Sequence, residues 1–405
     1  MPAALPRTAL AALTAVALTS LAACGSSPSG SDAKESTKSS DSGISRVAVT
    51  LTGDACKLDQ DSAKAGPVTF TVANKDAAGI TEIELMADQK IIAEKENLAP
   101  GLSPVSFTST LGGGKYQVYC PGASQELVDF TVTGKASAAP TGTAAQLLQD
   151  GTDGYATYVT GQVDAMVTSV DKLQQDVDSG DVAAAQKQYG EARPFYEKVE
   201  SDVDGFVLPG FKATDNHGNL DYLIDMRGSN LDPAVGWHGF HAVERDVFGD
   251  EKITASTKKL AAELNTNVKL LAGLSKSLTY KPEDLANGAA GLLEEVQRNK
   301  ITGEEEAFSH IDLVDFAGNV EGAQQAFAYL KPGLTKLDAS LTTTISQRFD
   351  SVNTQLNTYR DTAAIGGYKL YTAQLKKTDA NKLSQTVQAL QDSLANLAEK
   401  VATAQ

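Results

Sequence analysis

The sequence predicts a two-part chain, an all-β sandwich followed by an all-α domain, and three observations carry that prediction. Between residues 46 and 133, β-branched clusters such as Val47-Ala48-Val49-Thr50-Leu51 and Val68-Thr69-Phe70-Thr71-Val72 are separated by turn formers, Gly66-Pro67 and Asn74-Lys75-Asp76 among them. From about Ala145 the apolar residues change period: Val159, Val163, Met166, Val170, Leu173 and Val177 recur at alternating steps of four and three, which is one stripe on a helix. Between the two patterns lies a Gly/Ala/Pro/Thr-rich stretch over residues 134–144, which reads as a linker.

In the first part, Ile80 to Leu85, Val105 to Thr110, Tyr116 to Cys120 and Val128 to Val132 continue the series. At least six short strands with regular turns point to a small antiparallel sandwich. In the second part, helices fit residues 181–203, 233–248, 252–278, 282–299, 310–330 and 334–361, and a last stripe runs from Leu383 to Val401. About eight helices over 145–405 exceed the needs of one four-helix bundle, so two bundles sharing a core are expected.

The N-terminus carries Arg7, an apolar run from Ala9 to Leu18, and then Leu21-Ala22-Ala23-Cys24. That run is too short to span a bilayer, which takes about 20 apolar residues, so residues 1–23 read as a signal peptide. The small residues before Cys24 resemble a lipobox, which implies cleavage there and a diacylglyceryl group on the Cys24 sulfur. Residues 24–45 lack large apolar clusters and suit a flexible tether on the extracytoplasmic face of the membrane. With Cys24 assigned to lipid, Cys56 and Cys120 are left as an even pair in an oxidising compartment, which reads as a disulfide, with metal binding as the alternative.

A formal net charge of −16 argues against a nucleic-acid partner and favours attraction of cations. The sharpest chemical signal is His241 with Glu244, because positions i and i+3 on a helix aim an imidazole and a carboxylate at one point. Glu197 and Glu200 repeat that spacing with two acids, and Asp225 and the run Glu304-Glu305-Glu306 supply more. Were Glu197, Glu200, Asp225, His241 and Glu244 to converge, their mutual repulsion would call for a cation. An oxygen-rich set with one nitrogen suits iron better than the sulfur- and imidazole-rich sets of structural zinc or copper.

Four blocks, Ala192-Arg193-Pro194-Phe195-Tyr196-Glu197, Gly239-Phe240-His241-Ala242-Val243-Glu244, Lys300-Ile301-Thr302-Gly303-Glu304-Glu305 and Ser309-His310-Ile311-Asp312-Leu313, resemble the imelysin-like domain of EfeO-type iron uptake proteins. The upstream segments around Cys56, Glu82-Ile83-Glu84, Glu96 to Gly101 and Tyr116 to Cys120 resemble the cupredoxin-like module of the longer members. The resemblance implies a metal set of His241, Glu244, Glu197, Glu200, Asp225 and Glu304, and a second site or a disulfide at Cys56, Cys120, Glu82 and Glu84. It implies iron, ferrous or ferric, as cargo, with zinc or copper as competing cations. The implied partners are a membrane iron permease and a haem peroxidase-like protein. Blue copper needs two histidines and a cysteine, and the first histidine is His217, outside the β part, so that centre is excluded.

Two other function classes compete. A metallopeptidase of the imelysin type would use the same His-x-x-Glu, but the zincin pattern, with a Glu between two His one turn apart, is absent from the sequence. An acidic polysaccharide-binding protein would want aromatic platforms, and the chain has one tryptophan, Trp237.

Overall fold

Nine strands occur among the described residues, which in this computed structural model are 43–87, 90–135 and 141–404. The leader, Cys24, and all but the last three residues of the tether lie outside them. None of the described helices is long and apolar enough to cross a membrane.

The strands are β1 Ser45–Thr52, β2 Ala55–Leu58, β3 Ser62–Lys64, β4 Gly66–Asn74, β5 Ile83–Ala87, β6 Lys90–Lys95, β7 Val105–Leu111, β8 Gly114–Tyr119 and β9 Leu127–Thr133. They make one sheet of order β2-β1-β4-β7 and a second of order β3-β9-β8-β5-β6. Alternating residues of the two inner faces form the core, where Phe70 stacks on Phe107 with centroids 5.1 Å apart and meets Phe130 edge-on at 5.3 Å. The sandwich is not purely antiparallel as expected, because β1 pairs β4 and β3 pairs β9 in parallel. In each case intervening strands carry the chain away before it returns. Strands β2, β3 and β6 were not anticipated. All three lie at sheet edges, where short or charged segments such as Lys90-Ile91-Ile92-Ala93-Glu94-Lys95 suit strands that must not template aggregation.

Cys56 on β2 and Cys120, just after β8, are joined by a disulfide that ties one sheet to the other.

Helices follow from Thr143: α1 Thr143–Ser179, α2 Val182–Glu197, α3 Glu200–Val203, α4 Leu220–Asp225, α5 Gly239–Glu244, α6 Ala255–Ser275, α7 Pro282–Glu295, α8 Asp312–Leu337, α9 Ala339–Asn357, α10 Ala373–Leu394 and α11 Leu397–Ala402. Helix α1 packs on α2, α6 and α8; α8 packs also on α7 and α9, and α9 on α10. The two groups share α8 and one continuous apolar core. The helix expected over 181–203 is broken after Glu197, three residues beyond Pro194, which has no N–H to donate to the ladder. The one expected over 233–248 begins only at Gly239 and ends in a π-helical turn over Arg245–Gly249. A second π-turn, Val296–Lys300, ends α7. Both turns border the acidic centre described below, and such insertions re-aim side chains at functional sites.

The sandwich is docked on the helices by Arg46, which donates to both oxygens of Glu399 at 2.8 and 2.7 Å, and by the ion pairs Lys95 with Glu294 and Arg298 with Glu96.

Candidate metal centre

Five elements bring the centre together. Helix α2 contributes Arg193 and Glu197, α4 ends on Asp225, α5 carries His241 and Glu244, the loop after Lys300 supplies Glu305 and Glu306, and α8 contributes Asp315. Close approach depends on two glycines. Gly239 has φ +77°, and a Cβ there would run into the Ile224 carbonyl, so only glycine lets α5 start against the end of α4. On α8, a Cβ at Gly318 would lie 2.6 Å from that of Glu197.

His241 is 1% exposed and is the hub. Its Nδ1 lies 3.3 Å from Glu244 Oε2, while the other Glu244 oxygen accepts the backbone N–H groups of Phe308 and Ser309 at 2.8 and 2.7 Å. Such a carboxylate fixes the ring's orientation and leaves the opposite nitrogen for other work. That nitrogen, Nε2, lies 3.2 Å from Glu305 Oε1 and 3.6 Å from Asp225 Oδ1. Two sets therefore place three ligand atoms within 4.8 Å of one another: Asp225, His241 and Glu305 on one face, and His241, Glu244 and Glu306 on the other. The first is favoured as a cation nest, since Glu244 already spends one oxygen on backbone donors and the other on Nδ1.

Permanent cations hold this acidic nest together. Arg193, fully buried, pairs with Asp225 and Glu197 and reaches Glu306 at 3.1 Å, Glu305 at 3.4 Å and Asp315 at 3.5 Å. Lys300 lies 3.2 Å from Glu197, 3.4 Å from Glu305 and 3.6 Å from Glu200. Arg227 Nη1 donates to Glu305 at 3.1 Å and Glu295 at 3.2 Å. Burying so many charges is tolerable only because each is paired or protonated.

Protons complete the balance. Burial and Arg193 oppose charging of His241, yet Asp225 and the hydrogen bonds to Glu244 and Glu305 outweigh them and raise it to about 10. Despite the cost of burial, Lys300, Arg227 and His241 hold Glu305 well below the ordinary carboxylate range. Burial and the neighbouring Glu244 push Glu306 well up, and burial does the same to Asp315 against the pull of Arg193. Without metal the centre thus keeps itself near balance with an imidazolium and protonated acids, and a bound cation would displace those protons.

Residues 151–397 match the imelysin (peptidase M75) family profile. The chain is also 31% identical over 358 residues, 87% of its length and 91% of theirs, to proteins named iron uptake system component EfeO from Escherichia coli strain K12, Escherichia coli O1:K1 / APEC and Shigella flexneri. The chain belongs to the imelysin family, as an EfeO-type member.

Of the residues expected to bind metal in this imelysin-family chain, His241, Glu244 and Asp225 meet in the centre, and Glu197 borders it through Arg193 and Lys300. Glu200 stands further out, on Lys300 and Asn319. Glu304 lies outside the nest: its carboxylate accepts from Ser229 and faces Arg227 at 3.6 Å, and its neighbours Glu305 and Glu306 are the ones turned inward. The loop carrying them has no helical period that could have told the three acids apart. Asp315, Arg193 and Lys300 were not singled out, although two of them stand in the motif blocks. His217 is exposed beside Asp215, His238 sits 3.1 Å from Glu263, and His310 is exposed with φ +57° where the loop turns into α8.

At the expected second site, the sulfurs are bonded to each other, and Glu82 and Glu84 face the helical domain instead. Glu82 lies 3.6 Å from Arg298. Burial, with Asp204 and Glu82 nearby, pushes the Glu84 carboxyl up to about 9. Between an unfolded-chain value of about 4.5 and that value, the folded chain holds a proton that the unfolded chain has lost, so its stability falls as pH rises through this window. Urea melts at pH 5 and pH 9 are expected to show that loss, and Glu84→Gln is expected to flatten it; identical slopes in both chains would contradict the assignment.

Proposed function

We propose that this protein is the extracytoplasmic, lipid-anchored component of an iron uptake system, capturing iron at the His241 centre and handing it to a membrane permease. Cys24 would carry the lipid, and a haem peroxidase-like protein of the same system would be its second partner. The single observation that carries the reading is the buried nest in which His241 Nε2, Asp225 and Glu305 bring three ligand atoms within 4.8 Å. Its one nitrogen and several carboxylate oxygens form a donor set suited to iron, with zinc or copper as competing cations. The relatives' name, iron uptake system component, agrees with that chemistry.

Capture is written as ion exchange. An imidazole raised to about 10 is protonated at neutral pH and must lose its proton before Nε2 can bind metal. Below pH 10, affinity is therefore expected to fall roughly tenfold for each unit of acidification, for one proton released. Calorimetric titration with ferrous iron, run anaerobically in buffers of different ionisation enthalpy, is expected to show release of at least one proton per ion at pH 7. Binding without proton release would contradict this mechanism.

A further inference from the structure

The His241 centre is buried, so an ion needs a route to it. Asp225, one of its members, also lines a chamber of about 80 Å³ between the sandwich and the helices. Glu94 and Glu96 from the end of β6 face Glu200, Asp204, Asp221 and Glu295 across this space. Carboxyls oppose each other there, Glu94 beside Asp204 and Glu96, which also pairs with Arg298, beside Glu295. Such pairs cannot both ionise without a shared proton or a cation between them.

A larger cleft of about 500 Å³ adjoins the chamber and shares Glu94, Ser201, Asp204 and Gly291 with it. On its wall Ser109 is 3% exposed, yet its hydroxyl has no hydrogen-bond partner. The Ser201 hydroxyl, also on that wall, is likewise buried and unpartnered. Buried polar groups rarely go unsatisfied, and two around one cleft point to a hydrated guest.

Among the described residues, only the two sets at His241 bring three ligand atoms within 4.8 Å, so the chamber offers no three-ligand nest of its own for a bare ion. The chamber has room for several waters, one of which needs about 10–15 Å³. A hydrated cation held through its waters fits both facts.

We propose that the cleft and chamber form the access path of a hydrated divalent cation, staged between Glu94 and Glu96 of the sandwich and the helical carboxylates, then stripped of water at Asp225. The inference rests on the reading of the His241 centre as the ion's destination, and it gives the sandwich a part in capture. The passage is predominantly acidic, with Arg227 in the chamber and Lys90 and Lys281 in the cleft as its cations, and an excess of negative charge in a low-dielectric space concentrates counter-ions and speeds their arrival.

Stopped-flow binding of ferrous iron under anaerobic conditions, followed by Trp237 fluorescence, tests the path in the full chain carrying Glu94→Gln and Glu96→Gln. A path residue acts on both directions of travel, so association and dissociation are each expected to slow about tenfold, with their ratio held within about threefold. Rates equal to those of the native chain would overturn the proposal. Native-like affinity in His241→Ala would instead overturn the underlying reading, which separates the two failures. As a measurement free of the double variant, crystals of His241→Ala soaked in manganese(II) are expected to show an anomalous peak between Glu94 and Asp204, and an empty chamber would also overturn the proposal.

Discussion

Replacing Arg193 by methionine is expected to cost the metal-free protein about 3–5 kcal/mol, because removing one partner of a buried ion pair leaves the other charges uncompensated. The guanidinium is fully buried and is the one group that touches Asp225, Glu197, Glu305, Glu306 and Asp315 together. Methionine keeps much of the volume and removes the charge, so cavity formation contributes little. Ferrous iron is expected to restore more stability to Arg193→Met than to the native chain, since the metal would take over part of the lost neutralisation. Thermal melts with and without iron check both statements. A variant as stable as the native chain, or one that iron leaves unaffected, would contradict the view of Arg193 as a built-in counter-cation.

His241→Ala is expected to weaken iron binding at least about 100-fold, near 3 kcal/mol, because outer partners of metal ligands alone are worth 10–100-fold and the ligand itself should exceed them. Loss of the imidazole removes the ring that both three-atom sets share, one set through each of its nitrogens. His238→Ala supplies the control. That ring pairs with Glu263 and the Val235 carbonyl, so its loss is expected to leave iron affinity unchanged. Equal losses in the two variants would show that the titration reports general acidity and not this centre.

Local periodicity made much of the centre legible in the sequence, and three-dimensional burial hid the rest. The spacing of His241 and Glu244 announced itself because helix geometry maps i and i+3 onto one face. Asp225 and Glu197 were recognisable as acids near that motif. Glu305 could not be separated from Glu304, because the loop between the second π-turn and α8 has no period and a single residue's rotation decides which acid turns inward. Arg193 and Lys300 were passed over for a related reason. A pattern search for cation sites looks for anions, whereas burying several anions in a low-dielectric core demands resident cations as well. In the sandwich, the interior strands β1, β4, β8 and β9 and the edge strand β7 carry β-branched or aromatic residues that mark them. The other edge strands, β2, β3 and β6, are marked by the opposite trait, short or charged sequence, which a search for apolar alternation discards.

That burial also gives the centre its chemistry. In water the same acids would be independently solvated and would hold a cation weakly. Enclosed among helices α2, α4, α5 and α8, they keep protons, an imidazolium and two or three fixed cations as placeholders. Exchange of the mobile placeholders for a metal ion then couples capture to pH.

A crystal of the full chain grown with ferrous iron, with anomalous data collected on both sides of the iron edge, tests the central claim most directly. The predicted result is one strong iron peak bonded to His241 Nε2, Asp225 and Glu305, with Glu244 still bridging Nδ1 to the Phe308 and Ser309 backbone. Iron bound only at carboxylates on the outer surface, with the nest around His241 closed on its own protons and cations, would contradict it.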